Sequence, residues 1–273
     1  MNTLRQTLLR LSHASPERKN CRAHLLAAKK GAPEQYLALA AHYLDLAQGY
    51  FENSLNEDRQ THLDRTGQIF AALWQHLPYA ERLSDFEYML AASLIGNTPR
   101  IGPVHPTDPI VTRIRRLDPQ TRFALLAYEF ERWSPRWVSL LMRCKPGTLH
   151  QLIAEARCTL CGVDWDPLSP EEKNCLVAIS FALESCPKLK VNRALSKRFS
   201  RYPRIIEIKA QWLELRPHLV EIRQHYRLGS QEREASLNTL LSDISQKPMH
   251  RPALVDRVLN TVHFSRYARI KVS

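Results

Sequence analysis

The residues best placed to do chemistry fall in one stretch, Ser134 to Leu160, SPRWVSLLMRCKPGTLHQLIAEARCTL. Its donors are Arg143, Lys145, Thr148, His150, Gln151 and Arg157. Cationic side chains can neutralise phosphates, and uncharged donors can reach base edges in a groove. The chemistry this set predicts is recognition, not bond making. A second grouping is Cys158-x-x-Cys161. A structural zinc would need two further ligands, and Cys175 with Cys186, or His150, stand nearest. That second cysteine pair lacks the close spacing of zinc ribbons, so cysteines on helix faces are the better reading. No metal or cofactor is expected. A third grouping runs through residues 188–209, where eight Lys and Arg interleave with Phe199 and Tyr202. Lys188, Lys190, Arg193, Lys197, Arg198, Arg201 and Arg204 form a basic patch suited to nucleic-acid phosphate or an acidic protein face, or to a solvated helix surface. The chain has no Gly-rich phosphate loop, GxSxG or HExxH, and its scattered His and Asp pair into no acid–base couple. An enzyme is not expected.

Two helices must position the first set. Ser134 followed by Pro135 predicts a capped helix start, because proline at the first helical position gives up no useful donor. Val138, Leu141 and Met142 then recur at helical spacing. Lys145-Pro146-Gly147 breaks the chain, and Thr148 is placed to cap a second helix with Leu149, Leu152, Ile153, Ala156 and Leu160 on its apolar face. Such a pair is a helix-turn-helix, whose second helix can lie in a DNA major groove, although many such pairs are only packing units.

Composition bounds the rest. In 273 residues the apolar share is 44% and there are only 8 glycines, with no alternating Val/Ile/Thr runs, which predicts an all-α protein. No stretch is long enough to span a membrane, and Arg5 and Arg10 interrupt the apolar N-terminus, so a cytoplasmic location is expected. The six cysteines do not resemble a secreted disulfide framework. The net charge of +12 divides as +6 over residues 1–32, −5 over 33–107, +2 over 108–166 and +9 over 167–273. The basic surface therefore sits at the two ends.

Along the chain, residues 1–32 read as a basic extension or docking helix. Residues 33–98 read as three or four helices, with Tyr36, Leu39, Ala40, Tyr43, Leu46 and Ala47 on one face of the first. Asp64 to Leu77 follows, with Phe70, Leu73 and Trp74 at the spacing of a helical core stripe. Residues 84–97 offer Phe86 and Tyr88 but no Lys or Arg, poor equipment for holding a single strand. Four prolines and a glycine make residues 99–109 a stiff linker. Residues 110–163 hold the helix-turn-helix domain. Residues 164–273 read as a basic helical third domain opened by a Ser169 cap, with helices near 170–185, 189–200, 203–226, 230–245 and 251–263.

The segment from Ser134 resembles the promoter-reading domain, region 4, of bacterial extracytoplasmic-function sigma factors. Ser134, Trp137-Val138-Ser139, Gly147-Thr148-Leu149-His150-Gln151-Leu152-Ile153 and Glu155-Ala156-Arg157 keep that family's spacing without a gap. Leu117-Asp118-Pro119-Gln120-Thr121-Arg122 is similar to its lead-in helix. Asp64, Phe70, Leu73 and Trp74 fall at matching positions of its region 2 helix, with Gly67 and Gln68 where the family has Gln and Glu. The resemblance implies two small helical domains and contact with RNA polymerase core through Asp64, Gln68, Phe70, Leu73 and Trp74. It implies DNA contact through Arg143, Lys145, Thr148, His150, Gln151 and Arg157. Where the family's recognition helix carries basic residues, this chain has His150, Leu152 and Glu155. Two expectations follow. One is a sigma-like transcription regulator; the other is a sigma-like fold that has lost DNA reading and serves as a protein adaptor or scaffold component.

Overall fold

A computed structural model describes residues 16–98, 108–185 and 202–249. Among them the protein is all-α, as its composition predicts. Twelve α-helices occur in the described residues, and eight of them begin on a proline. Proline serves there because its fixed φ suits the first helical turn and its missing N–H would have no partner anyway. The helices are α1 (Pro16–Ala28), α2 (Pro33–Ala41), α3 (Leu44–Glu52), α4 (Arg59–His76), α5 (Leu83–Gly96) and α6 (Pro109–Arg116). Then come α7 (Pro119–Leu125), α8 (Pro135–Leu141), α9 (Pro146–Leu160), α10 (Pro170–Ser185), α11 (Pro203–Tyr226) and α12 (Ser230–Gln246). None of them is long and apolar enough to cross a membrane.

The described residues form two compact units that cut across the expected consecutive domains. One draws on Met1–Leu44, Leu63–Ser93 and Leu228–Ser273; the other draws on Asp45–His62 and Leu94–Arg227. The expected N-terminal extension is folded from Pro16, since Cys21, Leu25 and Ala28 of α1 are buried. Residues 1–15, the 99–107 part of the linker, and the predicted helices 189–200 and 251–263 lie outside the described residues.

In the first unit α2 packs on α1 and α12. Tyr36 sits at its centre, 5.1 Å from the Trp74 ring and edge-on to Phe86, and its hydroxyl donates to the Phe70 carbonyl at 2.5 Å. The Glu87 carboxylate is buried beside them, accepting from Tyr43 Oη at 2.7 Å and from Arg18 Nη2 at 2.8 Å.

The second unit is built on α9, against which α6, α7, α8, α10 and α11 all pack. Asp108 and Asp118 cap α6 and α7, each accepting from two backbone N–H groups of the first turn. The fully buried Arg122 closes the other end of α6 by donating to the carbonyls of Ile114, Arg115 and Leu117. Ser169 and Glu172 cap α10 reciprocally, as the sequence predicts. Leu176 and Ile179 of α10 and Ile205, Ile208 and Trp212 of α11 close over Ala154 and Cys158. This burial draws α10 and α11 into the unit of the helix-turn-helix, where the sequence predicts a separate third domain.

Candidate functional site

The helix-turn-helix forms, but its turn lies one step earlier than the sequence predicts. Ser134 caps α8, accepting from Trp137 N at 3.3 Å. The chain reverses over residues 142–145, with Arg143 in the left-handed region at φ 51. Cys144 N bonds back to the Ser139 carbonyl at 3.0 Å and steadies the reversal. Lys145, not Thr148, occupies the N-cap of α9, and it does so without a side-chain cap. Pro146 and Gly147 are already helical, so the break expected at Lys145-Pro146-Gly147 is the start of α9.

The six expected DNA contacts divide. Arg143, Lys145, Thr148 and Gln151 are exposed at one end of α9. His150 and Arg157 are buried, 6% and 5% exposed, and face the fold instead of a groove. Arg157 Nε donates to Glu129 Oε1 at 2.8 Å, Nη2 pairs with the same oxygen, and Nη1 donates to Ser180 Oγ at 2.7 Å. Its guanidinium also lies 5.5 Å from the centre of the Trp212 ring and 5.8 Å from that of Tyr128. Glu129 is delivered by a π-helical turn, Leu126–Phe130, that follows α7. Such turns insert an extra residue and re-aim the side chains beside it. An arginine held by a buried carboxylate, a hydroxyl and two rings is a structural brace, with nothing left over for a phosphate.

What remains open on α9 is a stripe of Thr148, Gln151, Leu152, Glu155 and Thr159, exposed or half-buried. It carries no cation. Burial, helped by Asp166 and Asp118, holds the Glu155 carboxyl above its usual range. On α8 the apolar Leu140 stands 57% exposed.

The expected polymerase contacts divide in the same way. Asp64 and Gln68 are exposed on α4. Phe70, Leu73 and Trp74 are core, at 0%, 0% and 6% exposure, and Trp74 Nε1 donates to the Lys247 carbonyl at 3.0 Å. Their i, i+3, i+4 spacing marks a buried stripe, and residues after α12 cover the indole that a partner would have needed. Of the basic patch, Arg204 is exposed on the first turn of α11; Lys188, Lys190, Arg193, Lys197, Arg198 and Arg201 lie outside the described residues.

Cys158 is buried and Cys161 half-buried, and burial pushes their thiols up to about 12 and about 11. Burial therefore disfavours the thiolate at both, and Cys186, another expected ligand, lies outside the described residues. No group of three metal-ligating side chains converges among the described residues.

Sequence reasoning misses one concavity, a cavity of about 520 Å³ in the second unit lined by His62, Asp108, Arg115, His218 and His225 among others. These residues are far apart in sequence, so no local pattern announces them. The cavity's charges answer one another: Arg59 donates to Glu52 Oε1 at 2.7 Å, and Arg115 donates to the Glu52 carbonyl at 3.0 Å.

No protein-family model, curated protein or solved structure matches this chain.

Proposed function

We propose that this chain is a protein-binding adaptor or scaffold component that keeps a helix-turn-helix without using it to read DNA. The observation that carries the reading is the fate of the cations on α9. Arg157 is spent inside the fold on Glu129, and the open stripe of the helix has a carboxylate and no Lys or Arg. Phosphate neutralisation supplies most non-specific DNA affinity, and a helix face without cations cannot provide it. The exposed Leu140 on α8 and the half-buried Leu152 on α9 suit a protein face better than a phosphate backbone.

A second reading keeps the promoter. Arg143, Lys145, Thr148 and Gln151 are exposed together at the N-terminal end of α9, the end that a recognition helix points at base edges. One pair of measurements separates the two. The purified full-length chain is titrated against duplex DNA by fluorescence anisotropy at low and at high salt, and is incubated with bacterial RNA polymerase core. The adaptor reading expects neither complex. Duplex binding that falls steeply with salt and is lost in Arg143→Ala/Lys145→Ala would replace it with the promoter reading. Polymerase capture lost in Asp64→Ala/Gln68→Ala would do the same.

A further inference from the structure

α11 is the longest helix among the described residues, and it has two apolar stripes where one would suffice. Ile205, Ile208, Trp212, Leu215, Leu219, Ile222 and Tyr226 alternate at steps of three and four and are buried in its own unit. On the far side Ile206, Leu213 and Val220 recur every seventh residue and stand 52%, 44% and 43% exposed. Pro203, Ala210, Pro217 and Gln224, all exposed, fill the alternate steps between them. At 100° per residue the second stripe lies about 160° from the first.

This outer stripe is a heptad seam, with Pro203, Ala210, Pro217 and Gln224 at a and Ile206, Leu213 and Val220 at d. Its edges are sorted by charge. The e positions are Glu207, Glu214 and Glu221, and the g positions are Lys209, Arg216 and Arg223. Arg223 also stands near Glu131 of its own unit, which leaves Lys209 and Arg216 as the bases of this edge that a partner could use.

The sorting selects the occupant and its direction. In a parallel pair, each g residue of one helix faces the e residue of the next heptad on the other. Lys209 of one copy then meets Glu214 of the other, and Arg216 meets Glu221, each twice by symmetry. In an antiparallel pair e faces e and g faces g, setting acid against acid and base against base. We infer that the exposed face of α11 is a homodimer seam, on which a second copy of this chain docks its own α11 in parallel. The two-fold axis runs along the helices, so one self-complementary patch serves both partners, as a closed dimer requires. Ala210 at an a position lets the backbones approach. Pro217, inside the helix, also falls at an a position on the exposed side.

Sedimentation equilibrium of the full-length chain tests this. The expected result is a concentration-dependent dimer that Leu213→Glu weakens at least about tenfold, the loss of one central apolar anchor. Thermal melts of the variant at concentrations where both chains are monomeric should match the parent, since Leu213 is outside the buried stripe. Glu214→Lys should weaken the dimer too, and Lys209→Glu/Glu214→Lys should restore it. A wild-type chain that stays monomeric at every concentration overturns the inference, with the seam then covered by another segment or another protein. A dimer indifferent to Leu213→Glu overturns it in favour of a different surface. A dimer tightened by Glu214→Lys overturns the parallel direction on which the argument rests.

Discussion

Glu87 and Glu129 are both buried carboxylates answered by an arginine, yet only Glu129 is answered by one that is itself buried. Arg18 reaches Glu87 with a side chain 31% exposed, and Tyr43 supplies a second bond from inside the core. The Arg157 side chain is 6% exposed and spends its donors on Glu129 and Ser180. The difference lies in what water can repair. If Arg18 is removed, solvent can reach the outer side of Glu87. If Arg157 is removed, Glu129 stays buried, with Arg132 4.0 Å away as a remaining cation near it.

The largest expected effect follows from that. Arg157→Ala leaves an uncompensated buried charge and should cost about 3–5 kcal/mol, read as a lower denaturant midpoint. Glu129→Leu/Arg157→Met should cost far less than the single change, because an apolar pair of similar volume needs no partner. A double variant as unstable as Arg157→Ala would show that the guanidinium is held by its contacts with Trp212 and Tyr128 more than by the carboxylate.

Gly49→Ala probes the same unit by shape instead of charge. A Cβ at Gly49 would stand 2.5 Å from the Tyr226 ring, which is itself packed 5.6 Å from Phe130. Neither ring can withdraw without opening the core, so the cost should be about 1–3 kcal/mol. In the first unit Tyr43→Phe removes one bond to a charged acceptor while keeping the ring, and should cost about 1.5–3 kcal/mol. Arg18→Ala should cost about 1 kcal/mol or less, as for other partly exposed pairs. Should Arg18→Ala prove as damaging as Arg157→Ala, exposure would not be what separates the two carboxylates.

Much of the fold is legible from prolines and caps. Ser134-Pro135 and Ser169-Pro170 announce the starts of α8 and α10, and the predicted spans 170–185 and 203–226 coincide with α10 and α11. Those signals are local, set by φ, missing donors and side-chain oxygens within one turn. The helix-turn-helix is legible for the same reason, although its turn is displaced because the chain reverses at Arg143, in the left-handed region, before the expected break at Lys145-Pro146-Gly147. The site is less legible. A basic residue on a helix reads as solvent-facing, and nothing local says that Glu129, 28 residues earlier, waits for Arg157. One signal was available. Ile153, Ala154, Cys158 and Leu160 surround Arg157 on the helix surface, so it falls inside an apolar arc. Membership of the two units is not legible at all, since it is decided by which apolar faces close on α9, far apart in sequence.

Alkaline pH should weaken both units. Burial pushes the phenols of Tyr36 and Tyr43 up in the first unit and those of Tyr50, to about 12, and Tyr226 in the second. The second unit also holds the thiols of Cys158, pushed up to about 12, and Cys161, to about 11. An unfolded chain releases thiol protons from about pH 8.5 and phenol protons from about pH 10. The folded chain releases them later, so it binds more protons in between, and stability falls as pH rises through that window. Denaturant midpoints measured from pH 8 to 12 should begin to fall near pH 9, and Cys161→Ser should move that onset upward. An onset unmoved by the substitution would assign the decline to Cys158 and the tyrosines instead.

The smallest effect is expected at the end of α9, and its smallness is informative. Lys145→Ala and Gln151→Ala replace exposed side chains whose removal leaves no buried group unsatisfied, so both should leave the denaturant midpoint within about 0.5 kcal/mol of the parent. Arg157, only two turns further along the same helix, should be several kcal/mol worse. The cations that a reader of DNA would present are thus either dispensable to the fold or consumed by it. Lys145 and Gln151 can be changed freely without disturbing Glu129, so any partner lost in these variants must touch the helix end directly. Stability that fell markedly in either would mean that the end of α9 is braced from within, and that little of the helix-turn-helix is open to any partner.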